Sequence, residues 1–519
     1  MSLSTLDIGI FAAYVVGLIA IATFVSREKE GHDKDTKDYF LAGNSLTWWA
    51  IGASLIAANI SAEQIIGMSG SGYAVGIGIA SYEWLAAITL MIVGKYFLPI
   101  FLKHRIYTMP QYLERRYNHD VRLVMAIFWI GVYIFVNLTS VLWLGALAIN
   151  TVADVDIFYG LIFLGAFAAA YSLYGGLKAV AFTDIIQVVL LVAGGFYLSY
   201  ITLNIISEDA GVLAGFSKLM ALAPEKFDMI LSADNEYYEL LPGITSLVGA
   251  VWVLHFAYWG FNQYIIQRAL AAKSIGEAQK GIAFAAMLKL IMPIIVVLPG
   301  IAAFVIFPEL ETSDQAYPAL MKLMPPGMLG LVFAALVAAI VSSLGSMTNS
   351  ISTIFTMDIY SYYKPDRSQN HYVMVGRIVS FVSLIIAMVM AKPLLGNFDQ
   401  AFQYIQEYTG FFTPGIVVIF LLGMFWNRTT PKGALAAAIG SFLASLAFKL
   451  VWPALPFLDR MNFVSVICFI LAVSVSLMVK EESDQVHAME KADFHTSKSY
   501  NLVGVAVLIV LSVIYISWW

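Results

Sequence analysis

The chain carries little charge. Of its 519 residues only 12% are Asp, Glu, Lys or Arg and 60% are hydrophobic, against about 25% charged in soluble domains. That shortage excludes an ordinary soluble globule. Its single cysteine, Cys468, lies in an apolar run, so an intrachain disulfide is excluded and cysteine usage says nothing about compartment. Also missing are a nucleophile and base pair, a metal-ligand cluster and a phosphate loop, which argues against an enzyme. A net charge of -5 gives no reason to expect a nucleic-acid partner.

Long apolar runs take the place of charge. A spanning helix needs about 20 mostly apolar residues, and fourteen stretches qualify: 5–25, 47–73, 77–102, 121–150, 157–175, 179–206, 243–267, 279–307, 327–360, 370–391, 399–425, 432–450, 458–479 and 500–519. The expected fold class is an all-α polytopic membrane protein. The first stretch carries Asp7 and no Lys or Arg at its start and precedes Arg27, Lys29, Lys34 and Lys37, which does not fit a cleaved signal. With the N-terminus outside and alternating spans, twenty Lys and Arg fall in inside loops and six in outside loops. The positive-inside rule then places both termini outside. Between spans, 207–242 reads as an acidic external loop, partly helical, and 481–499 as a charged cytoplasmic linker.

Within this apolar pattern, SLIAANISAEQ (54–64) is conspicuous for Asn59, Ser61, Glu63 and Gln64. A bilayer tolerates polar groups and open backbone only around a cavity or inside protein. A broken helix carrying a cation site and a continuous helix bonded to its neighbours both fit this stretch alone. YWGFNQY (258–264) interrupts a second span with Gly260, Asn262 and Gln263. Two interrupted spans, each opening a set of five, match the inverted repeats of secondary transporters. The expected organisation is a peripheral segment at 1–46, a first repeat at 47–206, the external loop at 207–242, a second repeat at 243–425 and three peripheral spans in 426–519.

Ionisable residues inside spans are functional candidates because an unpaired charge there costs several kcal/mol. Glu83, in SYEWLAA, is an acceptor beside an aromatic, suited to a polyhydroxylated ligand or to bonding a neighbouring helix. Lys289 either donates to sugar hydroxyls or neutralises Glu83. Asp184 is a candidate second cation ligand or an interfacial residue, and Arg377 a helix-end residue that snorkels or pairs. Gln403 and Gln406 share a helical face beside Phe402 and Tyr404, amides and rings of the sort that grip a sugar. His255 reads by spacing as a core histidine and Tyr258 as packing or a gate. Ser342, Ser343 and Ser346, with carbonyls freed near 57–60, would give the neutral oxygens that a sodium ion prefers.

The stretches DYFLAGNSLTWWAIGASLIAANISAEQ, GFNQYIIQRALAAKS, TIFTMDIY and AFQYIQEYTG resemble the solute:sodium symporters, most closely their bacterial sodium/galactose and animal sodium/glucose members. The resemblance covers about 35–440. It implies the LeuT-type fold of two inverted five-helix repeats, with Na+ held by the carbonyls of Ala57, Ile60 and Ala339 and the hydroxyls of Ser342 and Ser343. It further implies sugar contacts from Gln64, Glu83, Lys289 and Gln406, with Tyr258 as inner gate and Met68, Tyr82 and Phe402 as outer gate. Asp184 matches a position used around a second sodium in some members. Ala86 and His255 depart from the galactose pattern, which has serine and asparagine there, and this leaves the preferred epimer open. His255 nonetheless falls among the substrate-binding positions. The implied function is sodium-coupled symport of a hexose across a bacterial inner membrane. Symport of inositol, sialic acid or proline, and a sugar sensor that does not transport, are the alternatives.

Overall fold

The computed structural model describes residues 3–25, 45–104, 106, 108–479 and 492–519. Within them the chain is helical apart from turns, loops and one isolated bridge, Leu46 to Ala272. The main helices are α1 (Thr5–Val25), α2 (Trp48–Asn59), α3 (Glu63–Ala74), α4 (Ile77–His104), α5 (His119–Ala153) and α6 (Ile157–Ser207). There follow α7 (Gly243–Phe261), α8 (Gln263–Leu270), α9 (Ile275–Ile306), α10 (Met328–Tyr363), α11 (Gln369–Leu395), α12 (Ala401–Thr409) and α13 (Thr413–Phe425). The last three are α14 (Pro431–Val451), α15 (Phe457–Met478) and α16 (Lys498–Ser517). Ten helices among the described residues are long and apolar enough to cross a membrane, or up to twelve when the bent pairs α2/α3 and α12/α13 each count as one span. The stretches expected as separate spans at 157–175 and 179–206 run together in α6. No proline interrupts them, and glycine inside a helix costs only about 1 kcal/mol relative to alanine.

Local chemistry fixes many helix ends. Asn118, Ser274, Ser368, Thr430 and Ser497 each accept a backbone N–H from the first turn of the helix they precede, satisfying donors that the helix itself leaves open. Small residues set the approach of α3 to α9: a Cβ on Gly300 would lie 2.1 Å from the Ser69 carbonyl oxygen. The expected helical part of the 207–242 loop is Val212–Leu222. That loop docks through Lys226, whose Nζ donates to the Ala74 carbonyl at the end of α3 at 2.5 Å. Gly76 follows with φ +97° and no room for a Cβ beneath Lys226. Burial holds the Lys226 ammonium below its usual pKa.

α10 is the hub. Its apolar window is 89% buried, against 28%, 28% and 17% for α14, α15 and α16, so one helix is enclosed by protein while the last three present most of their surface outward. α10 packs on α6, α1 and α11, and α2 lies against α9, α6 and α10. Asp7 of α1 anchors the start of α10 by accepting the N–H groups of Gly327 at 2.7 Å and Gly330 at 2.8 Å.

Candidate functional site

Between α2 and α3 the helix opens at residues 60–62. The N–H of Ser61 turns to the Asn59 carbonyl at 2.9 Å, and that of Gln64 to the Ser61 carbonyl at 3.1 Å. In a continuous helix these donors would serve Ala57 and Ile60, whose carbonyls therefore lose their helical partners. The two halves meet at 58°. Ser342 and Ser343 are buried in α10, which packs on α2, and the Ser343 hydroxyl has no hydrogen-bond partner among the described residues. Freed carbonyls on one helix and an orphan hydroxyl on a helix packed against it are neutral oxygens of the kind a hard monovalent cation takes. Ala339 sits within unbroken helix and offers only a second lone pair on its carbonyl. The residues present fit sodium. Asp184 lies in 171–184, where side chains are outside the described residues. Below this point Arg268 of α8 donates from Nε to Ser54 Oγ of α2 and from Nη2 to Ser346 Oγ of α10, both at 2.9 Å. Ser346 Oγ in turn donates to the Ser342 carbonyl at 2.9 Å.

Beside the opening lies a cavity of about 80 Å³. Gln64, Tyr82, Glu83, His255, Tyr258, Phe402 and Gln406 all line it, so residues from four separate stretches of sequence meet in one place. Lys289 stands directly behind. Its Nζ is 2.6 Å from Glu83 Oε2 and also donates to Asn59 Oδ1, both partners fully buried in protein. The same ammonium lies 4.8 Å from the Trp259 ring centroid. Asn59 Nδ2 donates to the Tyr258 hydroxyl at 3.1 Å, and the Tyr264 hydroxyl donates to it at 3.0 Å. The break expected at 258–264 falls at Asn262, whose extended backbone (φ -77°, ψ 122°) separates α7 from α8.

At one end of the cavity Tyr82 and Phe402 meet edge to face, centroids 5.2 Å apart, and His255 stands 6.5 Å from Tyr82. Buried acceptors and donors remain open here: Gln64 Oε1, the Tyr82 hydroxyl and His255 Nε2 have no partner among the described residues. A ligand rich in hydroxyls would satisfy them. Met68 is fully buried but does not line the cavity, and neither does Ala86. Gln403 is buried with both amide atoms unpartnered, away from the cavity.

Tyr133, Asn137 and Thr409 line the cavity without having stood out in the sequence, and Asn59, Glu63 and Asn262, which stood out only as polar interruptions of spans, line it too. Tyr133 is tied in by its hydroxyl, which donates to Asn262 Oδ1 at 2.7 Å and accepts the Gln263 N–H at 2.9 Å. Asn137 and Tyr133 sit in an otherwise apolar span, a polar signal of the same sort as Glu83, but helix rotation decides whether such a residue meets the cavity.

Comparison with known proteins gives a consistent picture. Residues 39–440 match the Sodium:solute symporter family. The chain is 51% identical to the sodium/glucose cotransporter of Vibrio parahaemolyticus, over 100% of this chain and 99% of that protein. It is 32% identical to mouse sodium/myo-inositol cotransporter 2, over 86% of this chain and 70% of that one. Its fold matches a solved Na+-coupled sialic acid symporter, captured substrate-bound and outward-open, with TM-score 0.80 and 22% identity over 93% of this chain and 100% of that one.

Proposed function

The chain belongs to the sodium:solute symporter family, and from that premise we propose that it couples sodium entry to uptake of a hexose, galactose or glucose, across a bacterial inner membrane. The observation that carries the substrate class is the buried Lys289–Glu83–Asn59 cluster beside unpartnered Gln64, Tyr82 and His255. Charged and amide groups in that arrangement both give and accept hydrogen bonds to hydroxyls, and aromatic faces cover a sugar ring. In this reading the spans number fourteen, with both termini outside and repeats at 47–206 and 243–425.

Sodium would be held by Ala57, Ile60, Ala339, Ser342 and Ser343, with Asp184 as a candidate ligand of a second ion. Holding the α2/α3 opening against α10 shapes Gln64 and Asn59 for the sugar. Tyr82 and Phe402, with Met68 behind them, form the outer closure, and Tyr258, braced by Asn59 and Tyr264, the inner one. Inward opening separates the carbonyls from the serines and releases the ion. Work comes from the ion's different affinity for the two states and about 2.3 kcal/mol per charge per 100 mV of membrane potential. No covalent chemistry is required.

The test is uptake of labelled galactose and glucose into proteoliposomes under an inward sodium gradient, with potassium as control and myo-inositol, proline and sialic acid as competitors. Sodium-dependent hexose uptake is the expected result, and Gln406→Ala should abolish it while sodium binding persists. Uptake of a competitor alone overturns the hexose assignment. Sodium-dependent binding of hexose without uptake would mark a sensor.

A further inference from the structure

One charged group in the cavity has no place in the sugar and sodium sites described above. Glu63, on the first turn of α3, is 4% exposed and borders the cavity. Its backbone N–H meets Ser61 Oγ at 3.3 Å, but its carboxylate accepts no hydrogen bond and forms no ion pair among the described residues. The charged and titratable groups around it are Tyr82 and Glu83 on α4, Tyr133 on α5, His255 and Tyr258 on α7, Tyr264 on α8 and Lys289 on α9. Only Lys289 is a fixed cation, and it is committed to Glu83 and Asn59. One ammonium therefore faces two carboxylates. An unpaired carboxylate inside a membrane protein is costly while the cavity is wet and more so once a ligand drives the water out.

A counter-ion removes that cost. No group of three or more His, Cys, Asp or Glu that could hold a metal exists among the described residues, so the site does not suit a multivalent ion. One carboxylate in a cavity that also holds the open Gln64 Oε1 suits a single positive charge. Resting on the reading of this cavity as the sugar site, we propose that Glu63 is its cation acceptor: when substrate fills the cavity, the Glu63 carboxylate takes up one monovalent cation, a proton or a sodium ion, in addition to the sodium held between α2 and α10. The substrate then enters with one positive charge more than the sodium sites alone supply, and filling the cavity is linked to loading that charge.

The experiment uses the full chain in detergent and in proteoliposomes. Galactose is added to the wild type in saturating sodium in weakly buffered solution with a pH indicator, and the ratio of labelled sodium to labelled galactose is measured in flux. Uptake of about one proton per galactose bound, lost in Glu63→Gln and kept in Glu63→Asp, supports the proposal with a proton as the cation. A ratio of about two sodium ions per galactose that falls to one in Glu63→Gln and stays at two in Glu63→Asp supports it with sodium. Galactose binding by the wild type with no proton uptake and one sodium per sugar overturns the proposal without recourse to any variant. A second cation that survives in Glu63→Gln overturns it as well. Failure of the wild type to bind any hexose instead sinks the sugar reading, and this inference with it.

Discussion

The molecule contains two sharply bent spans, and their carbonyls are treated in opposite ways. The α2/α3 span bends by 58° and the α12/α13 span by 49°. At the second bend several freed groups find new partners. The carbonyls of Gln406, Tyr408 and Thr409 accept the N–H groups of Gly410, Phe411 and Phe412. Ser441 of α14 accepts the Gly415 N–H at 3.1 Å and donates to the Phe411 carbonyl at 2.9 Å. At the first bend the carbonyls of Ala57 and Ile60 are left over, and the Ser343 hydroxyl of the adjoining α10 has no partner among the described residues. The second bend is stitched to a neighbouring helix through Ser441, whereas the first leaves the Ala57 and Ile60 carbonyls open, the kind of neutral acceptor an ion takes.

The largest effect should come from removing the charge that braces the first bend. Lys289→Met leaves Glu83 buried without its partner, a change that costs about 3–5 kcal/mol. Hexose uptake should vanish and the thermal unfolding midpoint fall sharply, whereas Lys289→Met combined with Glu83→Gln should regain much of the stability. Without that regain, the pair is not what braces the bend. Next, Ser343→Ala removes one oxygen from the ion. With about 1.5–3 kcal/mol for a contact to a charged group, half-saturating sodium should rise by roughly ten- to a hundredfold in uptake assays. An unchanged sodium dependence would make the first bend no different from the second.

The matching change at the second bend is Ser441→Ala. It deletes two buried hydrogen bonds and should cost about 1–2 kcal/mol of stability, read as a lower unfolding midpoint, with sodium dependence intact. The smallest effect is a pH slope at the start of α12. Asp314 accepts the Ala401 N–H at 2.8 Å, and burial, with Asp399 nearby, raises its pKa well above the usual carboxylate value. A raised folded-state pKa gives stability that is full below about pH 3.9, the unfolded value, and is lost as pH climbs toward the folded value. Asp314→Asn should remove that slope, so that variant and wild type diverge in unfolding midpoint as pH rises. Parallel profiles would show that folding does not shift the Asp314 pKa.

Much of this was open to a reader of the chain. Hydropathy marked the spans, and Asn59, Ser61, Glu63 and Gln64 in an apolar run marked the first bend, because a bilayer leaves such residues few alternatives. Glu83 and Lys289 stood out for the same reason. The second bend did not. Gly410 and Pro414 are ordinary punctuation, and only the position of Ser441 on another helix shows that the bend is a closed one. The continuity of α6 was likewise not legible, since Gly175 and Gly176 permit a break without requiring it.

The sequence by itself determined that this is a helical membrane protein, which spans carry polar groups, and, through long matching stretches, which residues to expect at the ion and the sugar. It could do so because the bilayer imposes hydropathy and backbone pairing on every segment independently. Only the tertiary structure decided which of those groups find partners. Lys289 turns to Glu83 and Asn59, Tyr258 is braced by Asn59 and Tyr264, and Glu63 is left alone in the cavity. Pairing of that kind depends on helix rotation and on neighbours some two hundred residues away, where a one-residue turn of about 100° moves a side chain from cavity to lipid.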